Sequence, residues 1–247
     1  PMIMGPDRAK LSKRHGATAI GEYKDAGILP DALNNFMVLL GWALDDKTDV
    51  VSTQTVIENF TLDRVTKSSA IFDQDKLQWM NGVYIRELTP ERLASEMVPF
   101  LERDLPRDML PVDQEYLRQI APLLQERMKN LNESADSTSY FFQANEQFDT
   151  ETLVQKGMDR DSTLLALEAA LDDLDSVHDY APEKLEQMLT NTGEKLSLSR
   201  RQFFGVIRVA ATGRAVSPPL FEMMEVLGKD RTVSRVKNAL ERFGAAG

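Results

Sequence analysis

Lys10-Leu11-Ser12-Lys13-Arg14 is the stretch of this 247-residue chain best equipped for chemistry. Two lysines and an arginine surround a serine just after a loop-forming run, Gly5-Pro6-Asp7-Arg8. Cations so placed offset the charge that develops as pyrophosphate leaves a nucleoside triphosphate, provided the loop fixes them at the right moment. Lysine is a mobile point charge and arginine a planar fork, a mixture suited to a loop that closes. The same five residues also fit a solvated basic loop, and alone they leave both readings open. A second candidate lies near the carboxyl end. Arg201 and Arg208, seven residues apart, share a helix face with Phe204 beside them. Arginine and aromatic planes are what unpaired RNA bases stack on, at roughly 1–3 kcal/mol per base. After Gly213, the residues Ser217, Pro218, Pro219 and Leu220 offer a hydroxyl and flat apolar surfaces. They fit a floor for splayed bases, and equally a proline turn after an amphipathic helix.

The elements that would position these residues are almost all helical. Pro30 stands at a first helical position, with Leu33, Phe36, Met37 and Leu40 on one face and Gly41 as the stop. Ser52 or Thr53 can cap a short helix carrying Val56, Ile57 and Phe60. Thr89-Pro90-Glu91 opens another, with Leu93, Met97, Phe100 and Leu101 inward. Asp113 precedes a longer helix through Leu117, Ile120, Leu124, Met128 and Leu131. Asp161-Ser162 starts one with Leu164, Leu165, Leu167, Leu171 and Leu174, and Pro182-Glu183 one with Leu185, Met188 and Leu189. Ser199 caps the helix whose core stripe is Phe203, Val206, Ile207 and Ala210. The fold class is all-α or nearly so, with at most a few short strands near the amino end, where Pro1-Met2-Ile3-Met4 reads as a strand entering a loop. Soft, polar junctions at Leu88-Thr89-Pro90 and Asn145–Thr150 divide the chain into segments 1–88, 89–150 and 151–247.

Composition narrows the chemistry. There is no cysteine, which excludes disulfides and thiolate-bound metal and fits the cytoplasm. His15 and His178 are the only histidines, too few for a zinc site; the first reads as loop scaffold and the second as a surface residue. No apolar run approaches the roughly 20 residues that span a bilayer, and the start lacks a signal-peptide pattern. The net charge of −10 is uneven: residues 195–247 hold ten Lys/Arg against four Asp/Glu, a net of +6, while 145–194 hold three against thirteen, a net of −10. A basic module ending an acidic chain is the footprint of one face meeting phosphate, although blocks of charge also occur as solvated helix faces.

Lys10–Arg14 and the following His15-Gly16-Ala17-Thr18 resemble the second signature of class I glutamyl-tRNA synthetases. Further matches to that family follow in order: Tyr23, Gly27, Leu29–Phe36, Gly41-Trp42, then Phe72–Ile85 as a stem-contact signature. Near the end come Ala211-Thr212-Gly213, Pro218-Pro219-Leu220-Phe221 and Leu227-Gly228-Lys229-Asp230-Arg231. The resemblance implies a stem-contact region followed by two helical anticodon-binding subdomains, and a Rossmann-type catalytic domain, with the glutamate site and most of the ATP site, lying upstream. It implies that Lys10 and Lys13 are catalytic, that Lys10, Ser12, Lys13 and Arg14 bind ATP, and that the parent enzyme uses ATP with Mg2+ to join glutamate to tRNA(Glu). Arg208, Ser217, Pro218 and Leu220 match the pocket for the first two anticodon bases, and Arg127 the arginine that meets the third. The expectation is a monomeric, cytoplasmic, membrane-free protein that binds tRNA, is inactive alone and holds no cofactor or metal by itself. Two rivals are a stand-alone tRNA-binding module and a helical protein-interaction scaffold. The family's short queuosine-modifying paralogue lacks an anticodon-reading end, so residues 151–247 argue against it.

Overall fold

A computed structural model of the chain describes residues 2–12, 14, 19–143 and 149–245. Helix dominates it. The strands are two residues each, β1 (Ile3–Met4) and β2 (Ala70–Ile71), paired in parallel with Ile3 opposite Ala70. Twelve α-helices follow in chain order among the described residues: α1 (Ile20–Asp25), α2 (Pro30–Leu39), α3 (Thr53–Asn59), α4 (Gln74–Glu87), α5 (Pro90–Asp104), α6 (Gln114–Gln125), α7 (Ser134–Phe142), α8 (Arg160–Ser176), α9 (Pro182–Lys195), α10 (Arg200–Thr212), α11 (Leu220–Leu227) and α12 (Lys229–Ala245). No helix among the described residues is long and apolar enough to cross a membrane.

The chain forms two compact units. The first comprises residues 1–105 and 124–136, the second 106–123 and 137–247, so residues 89–150 are divided between them. Local signals set most helix starts. Ser52, Asp73, Thr89 and Ser199 each accept a backbone N–H at an N-terminus, and Pro30, Pro90 and Pro182 occupy first-turn positions.

The first unit is held by aromatics and two buried amides. Phe72 contacts Phe36 edge-on at 4.8 Å between ring centres and Tyr23 at 5.8 Å. Asn81 is fully buried in α4: its Oδ1 accepts the Leu29 N–H at 2.8 Å, and its Nδ2 donates to the carbonyls of Lys129 at 2.8 Å and Gly27 at 3.1 Å. Asn35 does the same for the loop after α2. Its Nδ2 donates to Asp49 O at 3.0 Å, and its Oδ1 accepts from Val51 N and from the Tyr84 hydroxyl, both at 2.9 Å. Gly27 sits at φ 82°, where a Cβ would come within 2.8 Å of the Leu131 nitrogen and 2.7 Å of the Asn132 nitrogen. The signature spanning residues 72–85 is therefore in large part an internal frame: Phe72, Leu77, Met80, Asn81 and Ile85 are buried.

The second unit contains α8–α12, with α10 almost wholly enclosed: Phe203, Val206, Ile207, Val209 and Ala211 have no exposed surface. Here the sequence pattern needs correction. Leu165 points to water at 55% exposure, and the face that α8 buries is instead Thr163, Ala166, Leu167, Ala170 and Leu174. Small residues on that face let a neighbouring helix approach closely, so alanines displace the leucine. In the first unit Met37 and Ile57 likewise face outward, at 43% and 69% exposure. The helix expected from Asp113 through Leu131 stops at Gln125, although Leu124, Met128 and Leu131 are all buried as expected. Beyond it the chain passes through a turn and a 3₁₀ segment, Leu131–Glu133, begun by the Asn130 side chain.

Candidate nucleic-acid interface

The basic loop near the amino end is pinned by its backbone. Met4 and Lys10 form an antiparallel bridge, Gly5 N–H donates to Ala9 O at 2.8 Å, and Leu11 N–H to Ile3 O at 3.0 Å. Lys10, Ser12 and Arg14 are exposed, and Arg14 forms a 2.9 Å ion pair with Asp7. Three polar side chains thus face water at or just beyond a backbone bonded through Leu11, a grouping that fits a polyanion such as a triphosphate. Lys13 and His15 lie outside the described residues. His178 is exposed.

The second candidate site grows from α10. Ser199 caps that helix together with Gln202, and Gly213 ends it in the left-handed conformation at φ 70°. The loop 213–219 then turns the chain into α11, which Pro219 opens. Arg208, half-buried in the last two turns of α10, braces this loop. Its Nη1 donates to the Pro218 carbonyl at 2.7 Å, to the Ser217 carbonyl at 3.3 Å and to Ser217 Oγ. Thr212 Oγ1 donates to the Arg208 carbonyl at 2.7 Å and accepts the Arg214 N–H at 3.2 Å, tying the helix end to the loop start.

The structure therefore brings Arg208, Ser217, Pro218 and Leu220 together. Ser217 is turned inward at 7% exposure, its hydroxyl spent on Arg208 and on Pro218 O, and Leu220 is 4% exposed as the first residue of α11. The loop tip exposed to solvent is Ala215 and Val216, the latter at 76%. Phe204 packs edge-on against Phe221 at 5.1 Å, while Arg201 on the same helix is exposed. Arg127 lies in the first unit, exposed in the turn after α6, its N–H donating to Leu124 O at 3.0 Å.

The sequence motifs include Arg231, within Leu227–Arg231, but not Arg214 or Arg235, and all three serve this region of the second unit. Arg214 stands over the Tyr140 ring at 5.8 Å, and Arg231 over Tyr116 at 5.4 Å. Burial pushes the phenols of Tyr140 and Tyr116 above their ordinary range, against the pull of these nearby guanidiniums. For Arg214 and Arg235 the only visible signal is the positive balance of the carboxyl-terminal segment.

In the second unit, loop 213–219 is thus braced by Arg208 between α10, which Gly213 ends, and α11, which follows Pro219. Residues 92–240, more than half of the chain, match the family model described as anticodon binding domain, and the chain belongs to that family. Residues 1–79 match the model for the catalytic domain of class I tRNA synthetases (E and Q). Among curated relatives, the chain is 44% identical over 246 residues to glutamate–tRNA ligase of Dehalococcoides mccartyi, covering 98% of this chain and 50% of that one. It is 42% identical over 248 residues to the Roseiflexus castenholzii glutamate–tRNA ligase, covering 100% and 49%. The crystal structure of a glutamate tRNA ligase from Elizabethkingia meningosepticum superposes with a TM-score of 0.82 at 25% identity, over 97% of this chain and 50% of that one. The chain spans about half the length of the curated relatives it matches.

Proposed function

We propose that this chain is the carboxyl-terminal, tRNA-reading portion of a glutamate–tRNA ligase, which activates glutamate with ATP and transfers it to tRNA(Glu). The observation that carries the reading is the Arg208 brace: one guanidinium holds Ser217 and Pro218 while standing beside the loop they shape. A loop ordered before binding loses less entropy when bases seat on it, which favours a reading surface over a chance turn. In this scheme residues 1–88 carry the phosphate loop and the stem contact, and 89–150 and 151–247 form the two anticodon-reading subdomains. Arg208, Ser217, Pro218 and Leu220 frame the first two anticodon bases, and Arg127 meets the third.

Lys10 and Lys13 act on the phosphates as pyrophosphate leaves, with Ser12 and Arg14 completing the ATP contact. Magnesium enters with the nucleotide, and glutamate and most of the ATP are held by residues outside this chain. The protein works as a monomer in the cytoplasm, and this portion alone does not charge tRNA.

The test is binding of the chain to glutamate tRNA and to a copy with altered anticodon bases, each at two salt concentrations. Salt-sensitive binding that weakens for the altered anticodon supports the reading, since phosphate contacts release counterions while base contacts discriminate. Equal binding of the two RNAs removes the anticodon assignment.

A further inference from the structure

Arg235, on α12, is a charged side chain buried to 4% exposure. Its Nη1 donates to the Ala211 carbonyl at 2.7 Å, and its Nη2 donates to the carbonyls of Tyr140 at 2.5 Å and Gln143 at 2.8 Å. Ala211 lies in the last turn of α10, and Tyr140 in the last turn of α7. Carbonyls there lack intrahelical partners, and the helix dipole favours a cation beside them. One planar fork thus satisfies the ends of two helices at once, a geometry that an ammonium cannot reproduce.

The end of α7 is gripped twice more. Arg231, one turn earlier on α12, donates to Phe141 O at 2.9 Å, and Arg214 from the loop donates to Ser139 Oγ at 3.3 Å. Arg214 also meets Thr212 of α10, through its backbone N–H, but Arg235 joins α10 to α7 with a single buried guanidinium that donates to a carbonyl at the end of each. Ala211 is three residues after Arg208 and two before Gly213, so its position sets where the brace and the loop hinge stand.

We propose that Arg235 is a positioning residue for base recognition: by tying the end of α10 to the end of α7, it sets the register of Arg208 and of loop 213–219. This inference rests on the tRNA-reading assignment above. It adds a residue that meets no RNA and yet governs discrimination between anticodons.

The experiment measures fluorescence anisotropy of the whole chain and of Arg235→Met, Arg235→Lys and Arg231→Met, with thermal melts alongside. The probes are a glutamate-tRNA anticodon stem-loop and a copy with its first two anticodon bases replaced. Arg235→Met lowers affinity for the cognate loop by about tenfold, the worth of one stacked base, and leaves the altered loop unchanged. Arg235→Lys falls between, since a lysine keeps the charge and reaches fewer carbonyls. Arg231→Met, which touches α7 and not α10, keeps the full discrimination. Retention of the wild-type ratio in Arg235→Lys and Arg235→Met overturns the inference, as does an equal loss in Arg231→Met. If Arg235→Met is unfolded at the assay temperature, Arg235→Lys decides. If the wild-type chain itself does not separate the two loops, the tRNA-reading assignment fails and this inference falls with it.

Discussion

Replacing Arg208 by methionine tests the reading most directly, because it keeps the aliphatic stem of the side chain and deletes only the guanidinium. In the folded chain that group holds Pro218 O at 2.7 Å, Ser217 O at 3.3 Å and Ser217 Oγ. The 3.3 Å contact is at the weak limit, whereas the others are charge-assisted, each worth about 1.5–3 kcal/mol, and their removal orphans acceptors that water reaches poorly. Since Arg208 is half-buried, we take about 2–3 kcal/mol for the whole brace, a fall of roughly 5–10 °C in the melting of the second unit. On the RNA side, loss of an ordered loop and of a stacking plane lowers cognate affinity by roughly 10- to 100-fold and spares an RNA with altered anticodon bases. Differential scanning fluorimetry and anisotropy titrations against the two RNAs read the two effects separately. An unchanged melting temperature refutes the brace. An equal loss on both RNAs reduces Arg208 to a non-specific cation.

Asn81→Leu leaves a buried Leu29 N–H and the Lys129 carbonyl without this partner, while Gly27 O keeps the Leu131 N–H. It destabilises the first unit by about 3–5 kcal/mol in urea melts, while RNA discrimination by the second unit survives. The hydroxyl of Tyr180 is shut away from water, and burial pushes its phenol up to about 12. An unfolded tyrosine titrates near 10, so stability from this group is full below about pH 10 and is lost as pH climbs toward the folded value, about 2–3 kcal/mol in all. Tyr180→Phe flattens that alkaline loss in melts recorded across the range. Lys13→Ala, tested in the complete enzyme and in this chain, cripples charging and leaves RNA binding by the chain unchanged.

Short-range chemistry was the legible part of this fold. Ser52, Thr89 and Ser199 cap where they were expected to, because a cap depends on a few neighbouring residues. The two-residue strand at Ile3–Met4 and the core stripe of α10 also follow from local pattern. Pattern failed where partners decide. In α12 the inward face is Thr232, Arg235, Val236, Ala239 and Phe243, so a buried arginine and a threonine interrupt the apolar stripe and hide the helix. In α7 the buried positions include Ser134 and Thr138, polar residues that add nothing to an apolar stripe. At the candidate site the sequence placed Arg208 and Ser217 in one neighbourhood, and nothing local showed that the serine hydroxyl turns inward to the arginine.

The same blindness affects the charge count, and its consequence is measurable. Residues 195–247 hold ten Lys and Arg, which suggested a surface of that many cations. Five of them donate to oxygen atoms of the protein itself. Arg208 serves the loop, Arg214 serves Ser139, and Lys229 holds Asp175 O and Val177 O, each at 2.7 Å; Arg231 and Arg235 hold the end of α7. Arg200 faces Glu186 at 3.5 Å. Arg242 is half-buried and engaged within the protein, which leaves Lys195, Arg201 and Lys237 at exposed positions. At about 0.7 counterions per phosphate contact on unpaired RNA, three cations give a log–log salt slope near −2, and all ten would give about −7. Titration of the anticodon stem-loop between low and physiological salt separates these values. A slope near −7 would mean that the internal arginines leave their carbonyls for phosphate, and the brace at Arg208 would then be a resting contact that RNA displaces.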